Sequence, residues 1–180
     1  AFCAYAQRDL KLLVAYSSVS HLGLLVMGLF SVTREGLAGA SLHMVNHGIS
    51  TGAMIALLAF LADRYRTLDT NQYGGLIAKF PNFALLTFVI CLAGVGLPGL
   101  NNFVSEMLIL AGLFDSGNTK TVGYGLAATA GAGIFLSAWY TMTMLRRVFF
   151  GPVSEPAGGQ NPGDLKVREW LAFGIPALLC

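Results

Sequence analysis

The sequence predicts an all-α fold, a polytopic transmembrane helix bundle with about four complete spans between two truncated ones, one span being broken near Pro98. Three observations carry this expectation. Hydrophobic residues make up 55% of the 180 residues and charged residues only 11%, with a mean hydropathy of +0.66, whereas soluble domains carry about 25% charged residues. So few charges cannot form the polar shell that a soluble core of this size needs. Apolar runs also recur near the roughly 20 residues that a bilayer-crossing helix requires. Finally, the basic residues divide unevenly between alternate connections.

Along the chain, residues 1–6 read as the truncated end of a helix, and Gln7-Arg8-Asp9 separates them from a span over 10–32. Thr33 to Gly36 is the next polar break, before a span over 37–62. Asp63 to Pro81 leads into the apolar segment 82–114, Asp115 to Lys120 into a span over 121–145, and a truncated helix starts at 170. Between the last two lies Arg146 to Glu169, where Gly151-Pro152, Pro156, Gly158-Gly159 and Pro162-Gly163 mark a true loop. None of these connections has room for a soluble domain, so 1–180 reads as a single transmembrane domain. The chain opens at Ala1 inside an apolar run and closes at Cys180 inside another, as a piece of a longer chain would. No signal-peptide pattern is visible. Cys3, Cys91 and Cys180 all sit in apolar runs without paired spacing, which points to small packing residues rather than a disulfide framework or a zinc site.

If connections alternate sides, Arg8, Lys11, Arg64, Arg66, Lys79, Arg146, Arg147, Lys166 and Arg168 share one side, and only Arg34 and Lys120 fall on the other. The positive-inside rule assigns the richer side to the cytoplasm. The same division treats 82–114 as one crossing. A straight helix of that length would reach about 50 Å, against a hydrocarbon core of about 30 Å, so a break is expected. Gly94-Val95-Gly96-Leu97-Pro98-Gly99 supplies it, since proline lacks a backbone donor and clashes with the preceding turn. Broken helices at membrane depth are tolerated only against protein or a wet cavity, and in transporters they mark the ion path.

Ionisable residues within a span are costly to bury and so become candidates for function. Here they are Lys11, His21, His43, His47 and Glu106. Glu106 is the only carboxylate well inside a span, about two turns beyond Pro98. Burial disfavours its charge and a neighbouring cation favours it, so a group held between the two can exchange a proton near neutral pH. The alternative is a protonated carboxyl that ties helices together. His43 and His47, four residues apart, share a helix face. Imidazoles so placed can relay a proton or simply join helices by hydrogen bonds. They also have the spacing of metal ligands, but Asn46 rather than an acid precedes His47 and no third ligand is evident, so no metal is expected. Asn46, Ser50 and Thr51 make this face too polar for lipid. Lys11, Ser17, Ser18 and His21 suggest a polar stripe entering from the cytoplasmic edge, although a lysine at a helix end also snorkels to the headgroups. Arg146 and Arg147 read as interfacial anchors and Tyr124, Trp139 and Tyr140 as interfacial or packing aromatics. Phosphate-binding loops, iron–sulfur cysteine motifs and dinucleotide fingerprints are absent from the sequence; no cofactor and no nucleic acid is expected on this chain.

The run Gln7-Arg8-Asp9-Leu10-Lys11-Leu12-Leu13-Val14-Ala15-Tyr16-Ser17-Ser18-Val19-Ser20-His21 resembles a stretch shared by the proton-channel subunits of respiratory complex I and, more distantly, the large chains of multisubunit cation/proton antiporters. Further landmarks follow in that family's order: His43 with His47-Gly48-Ile49-Ser50-Thr51-Gly52, Asp69 with Tyr73-Gly74-Gly75-Leu76, Gly96-Leu97-Pro98-Gly99 with Asn102-Phe103-Val104-Ser105-Glu106, and Arg147 with Phe150-Gly151. Relatives of chain L and the antiporters commonly carry lysines where Thr51 and Glu106 stand here, and chain N relatives tend to carry lysine at the second position. A glutamate there is similar to chain M. The resemblance implies a non-redox, proton-translocating subunit of NADH:quinone oxidoreductase, in a bacterial inner membrane or an organellar equivalent. Its partners would be other membrane-arm subunits of complex I, the lipid bilayer, protons and internal water. It further implies about fourteen spans in two inverted halves, of which this stretch is a later part. A stand-alone cation/proton antiporter component and a non-conducting scaffold are the alternatives.

Overall fold

The computed structural model describes residues 1–116, 120–154, 165 and 167–180, to the side chain except at 120–122 and 167–168. The turn-rich stretch from Pro156 to Gly163 and Lys166 lie outside the described residues, as do the side chains of Lys120 and Arg168. The chain is all-α: a four-residue α1 (Phe2–Tyr5), α2 (Leu10–Phe30), α3 (Arg34–Tyr65), α4 (Pro81–Gly94), α5 (Asn101–Asp115), α6 (Lys120–Phe149) and α7 (Val167–Leu179), with 3-10 turns at Thr70–Gln72 and Leu76–Ala78. Among the described residues no strand forms, only isolated bridges between Asp9 and Asp69 and between Gly74 and Ser154.

Local chemistry sets the helix ends. The Asp9 carboxylate accepts the backbone N–H groups of Lys11 and Leu12 and so starts α2, while the Thr33 hydroxyl accepts from Gly36 and starts α3, with Glu35 in the first turn and Arg64 in the last. Pro81 opens α4 at the position where its missing N–H is harmless. Elements run beyond their expected ends: α3 reaches Tyr65 rather than 62, α6 includes Arg146 and Arg147 and ends at Phe149, and α7 begins at Val167 rather than 170. Hydropathy marks only the apolar part of a helix, whereas the hydrogen-bond ladder continues into the polar ends.

The connections meet at one end of the bundle. Leu10 N–H donates to Leu68 and Thr70 N–H to Arg8, while Gly74 and Ser154 exchange backbone bonds. The links around Arg8, Arg66 and Phe150 therefore lie together, with α3 ending and α4 starting there. An aromatic cluster of Phe60, Phe80, Phe83 and Phe149 fills this end. The Arg64 guanidinium stacks 3.8 Å over Phe60 and reaches Glu169 of α7 at 3.2 Å. Arg34, at the start of α3, sits at the opposite end. Helices α4 and α5 consequently traverse the bundle once between them.

Polarity is inverted relative to a soluble domain. His21, His43, Asn46, Ser50, Asn102, Ser105 and Glu106 are buried, while Val19, Phe30, Val45, Leu85 and Phe135 are exposed, an arrangement suited to lipid rather than water. Helices α2 and α3 are each long and apolar enough to cross a bilayer.

Helix α3 lies antiparallel along both α2 and α5 and makes its most extensive packing with α5. Glycines allow that approach: a Cβ on Gly39 would stand 2.8 Å from Ile109 N and 2.9 Å from Ser105 O, and one on Gly112 would stand 2.6 Å from Gly36 Cα. Small residues let helix backbones come this close. One turn beyond Gly39 is His43, and one turn before Ile109 is Ser105, so the glycine contact fixes the register of the interior polar groups. Gly39→Val should force α3 and α5 apart, an overpacking cost of about 1–3 kcal/mol. The expected outcome is a lowered thermal midpoint of the full-length protein in detergent, with Gly52→Ala, whose Cβ would meet nothing within 4 Å, remaining near the parent.

Candidate functional site

The expected break near Pro98 falls within 95–100. Helix α4 closes at Gly94 as Val95, Gly96 and Leu97 donate to Cys91, Ala93 and Leu92. Gly96 (φ +73°) and Gly99 (φ +99°) then occupy backbone conformations that side-chain-bearing residues rarely adopt, and Pro98 between them cannot donate. The first N–H groups of α5 are taken up at once: Asn102 N–H donates to Asn101 Oδ1 at 2.8 Å and Asn101 N–H to Cys180 O at 2.7 Å. Asn102 Nδ2 donates to Ala93 O at 2.9 Å, and Asn46 Nδ2 donates to Asn101 O at 2.8 Å. Neighbouring Ser50 accepts from Asn102 at 3.3 Å, so the polar face of α3 is turned onto the break.

Glu106, one turn into α5 from Asn102, is 3% exposed. Its carboxylate lies against Gly96: a Cβ there would stand 2.9 Å from Glu106 Cδ and closer still to Oε2. Oε1 has no hydrogen-bond partner among the described residues and lies 3.8 Å from His21 Nδ1. That is ion-pair distance rather than a hydrogen bond.

Helices α2 and α3 then bring the three histidines together. His43 and His47 stack with centroids 5.9 Å apart and an interplanar angle of 16°. The His21 ring lies 5.0 Å from His47 and 5.6 Å from His43. His43 Nδ1 is paired with the Ser105 hydroxyl at 3.0 Å, and that hydroxyl in turn donates to Asn102 O at 2.8 Å. His43 Nε2 is left without a partner among the described residues. The rings do not bond to one another directly, but at these separations a bridging water can carry a proton between them. A cavity of about 50 Å³ adjoins them, lined by Ser17, His21, His47, Ser50, Thr51 and Tyr140 among others, roomy and polar enough for water.

Four of the five expected residues, His21, His43, His47 and Glu106, thus form one cluster. Lys11 is apart from it. It is exposed in the first turn of α2, about 15 Å along the helix before His21, and lines a different, mainly apolar groove with Ser18, Ile55 and Leu58. The expected stripe is therefore two lines. Lys11 and Ser18 share one, Ser17 and His21 the other, roughly a quarter-turn away at about 100° per residue. The expectation that no third metal ligand stands near His43 and His47 is also corrected, because His21 supplies a third imidazole from another helix. Two groups were not recognised from sequence. Tyr140 is buried with its hydroxyl 2.7 Å from Ser17 Oγ, a role signalled by a phenol in mid-span that needs a partner. Ser105 carried no signal of its own beyond its place beside Glu106.

Residues 1–131 match the model of the NADH:quinone oxidoreductase/Mrp antiporter transmembrane family. The chain belongs to that family. Its relatives within the NADH:quinone oxidoreductase/Mrp antiporter group include NADH-quinone oxidoreductase subunit M of Rhodobacter capsulatus, 40% identical over 94% of this chain and 32% of the relative. The fold is similar to a chain of respiratory complex I from Thermus thermophilus with bound NADH, at a TM-score of 0.85 and 35% identity, covering 98% of this chain and 35% of that one. It is also similar to a chain of the membrane-bound sulfane sulfur reductase, an archaeal respiratory membrane complex, at 0.86 and 28% identity, covering 98% and 28%. This chain spans about a third of the length of the curated relatives it matches. The glutamate at 106 accords with the subunit M likeness expected from it.

Gly96→Ala tests how tightly the break holds the carboxylate. Both the left-handed backbone and the Glu106 contact oppose a methyl group, so the full-length protein should assemble less well and lose thermal stability. Gly99→Ala meets only the backbone cost, with no atom within 4 Å of its Cβ, and should be the milder of the two on native gels and in unfolding midpoint.

Proposed function

We propose that this chain is a later part of a membrane-arm subunit of NADH:quinone oxidoreductase that translocates protons across the membrane, coupled to electron transfer from NADH to quinone in other subunits. The observation that carries the reading is the buried Glu106 carboxylate, set against the helix break and 3.8 Å from His21, the first of three clustered imidazoles. Family membership and the likeness to subunit M support it. Four spans over 10–32, 37–62, 82–114 and 121–145 form this part of the channel, with α4 and α5 as the two halves of the broken one. The basic-rich end faces the cytoplasm, or its organellar equivalent, and the exposed apolar faces meet lipid and neighbouring membrane-arm subunits.

In this reading a proton enters from the basic-rich end of the bundle and reaches the cavity bounded by Ser17, Tyr140 and His47. It passes through water among His47, His21 and His43, and arrives at Glu106. It leaves where α4 and α5 part. Lys11, on a different face of α2, contributes a fixed positive charge at that end of the helix rather than exchanging protons with the rings directly. A change of charge in an adjacent subunit alters the proton affinity of the cluster by Coulomb coupling, and an interior shielded from salt transmits it well.

The test is Glu106→Gln in the full-length parent within its native complex, with NADH-driven turnover and proton pumping recorded in the same vesicles. Glutamine keeps the shape but cannot carry the proton. If the assembled complex loses pumping and coupled turnover about tenfold or more, as expected when a positioned proton-transfer group is removed, the reading stands. Normal pumping would make Glu106 a structural tie. The His47→Gln variant should behave similarly, since amide hydrogen bonding replaces titration there. An antiporter role, which the family's breadth also allows, would show as sodium-dependent transport by the full-length protein without NADH.

A further inference from the structure

The three histidines are arranged as a ligand set. Each ring offers a nitrogen, and these atoms lie within 4.8 Å of one another. Three nitrogens around a tetrahedral zinc at its usual bond length are about 3.4 Å apart, so the set must close by about 1.4 Å. The movement falls to His47, which is only half-buried and has room beside it in the adjoining cavity, while His43 stays fixed on Ser105.

Two further contacts match what a metal site requires around its ligands. Ligating histidines commonly engage their second ring nitrogen with a carboxylate, hydroxyl or carbonyl, which fixes ring orientation. His43 Nδ1 is held by Ser105, and His21 Nδ1 faces the Glu106 carboxylate. In both rings Nε2 remains, and at His43 it is buried without a partner. Thr51 lies 3.2 Å from His47 Nε2 and 3.3 Å from Nδ1, so its hydroxyl can hold either nitrogen. Imidazole donors select zinc-like ions over alkali and alkaline-earth cations.

We propose that His21, His43 and His47 bind a divalent transition-metal cation such as Zn²⁺, with Ser105 and Glu106 orienting the ligands. A bound ion occupies the nitrogens that would exchange protons, so it blocks the path. That consequence rests on the proton-relay reading, whereas the binding itself does not.

The experiment uses the intact native complex, equilibrated with micromolar Zn²⁺ and freed of loose metal by gel filtration. Zinc per complex is counted by mass spectrometry, and its coordination is read from the zinc X-ray absorption edge. One additional equivalent is expected, with nitrogen ligands at about 2.0–2.1 Å. It should be lost in His21→Gln and in His43→Gln. Ser105→Ala, which leaves every ligand in place, should weaken binding by about 10–100-fold. Zinc equal in parent and variants, or no nitrogen-ligated equivalent in the parent, would overturn the site. Should the histidine variants fail to assemble, the parent's absorption spectrum and the Ser105→Ala affinity still decide. If the ion binds as described but pumping is untouched by it, the metal site stands and the proton path fails. If no ion binds while Glu106→Gln still abolishes pumping, the path stands and the metal site fails.

Discussion

A helix interrupted in apolar surroundings exposes backbone groups that must find partners inside the protein, and the interior of this bundle is organised by that need. The partners are Asn102, whose side chain reaches back to Ala93 O, and Asn101, whose side chain accepts the Asn102 N–H, while Asn46 ties α3 to the same turn through Asn101 O. An asparagine side chain is short, so α3 has to lie close to the break. Gly39 and Gly112 make the approach possible. Once α3 and α5 are in that register, His43 meets Ser105 without further adjustment, and the antiparallel pairing of α2 with α3 delivers His21 between the two rings and Glu106. The cluster therefore inherits its geometry from the break, which Glu106 meets directly at Gly96.

The same dependence explains where the carboxylate can go. A left-handed glycine at 96 has no side chain to displace Glu106, and the carboxylate fills the space that a Cβ would need. The left-handed turn and the buried acid occupy complementary volumes, and a substitution at either one changes the other. Tyr140 closes the cluster from α6 through Ser17. The polar interior is thus bounded on every described side by a helix that contributes a hydrogen-bonding group, while large apolar side chains cover the outside.

Much of this was legible in the sequence because it follows from one-dimensional rules. Charge scarcity and run length gave the helices, the Gly-Val-Gly-Leu-Pro-Gly stretch gave the break, and the i, i+4 relation gave the shared face of His43 and His47. Ionisable residues in apolar runs identified Glu106. What the sequence did not disclose depends on distances between helices. His21 read as part of a stripe with Lys11, but the pairs Lys11–Ser18 and Ser17–His21 are offset by the step of about 100° between Ser17 and Ser18, which places Lys11 and His21 on different faces. The third imidazole was discounted for the same reason: nothing along the chain measures the separation of residue 21 from residues 43 and 47. Tyr140 looked like packing because an aromatic ring in a span needs no polar explanation until its hydroxyl is seen to have one.

A ring held at Nδ1 by a fixed neighbour has one tautomer and one direction in which its other nitrogen can act. That makes it a defined proton acceptor, and equally a defined metal donor, since both uses require the same neutral nitrogen. A carboxylate differs, because it is held by any cation and by several geometries. Replacing the histidines by acids would relax the orientation that Ser105 imposes on His43, and would bring several negative charges into a site with no described cation within it. The separation of roles, imidazoles in the middle and a single carboxyl at the break, keeps the interior neutral when one proton is shared between His21 and Glu106. It also means that proton transfer and metal capture compete at the same atoms, so the sensitivity of one to the other measures how completely the cluster lies on the path.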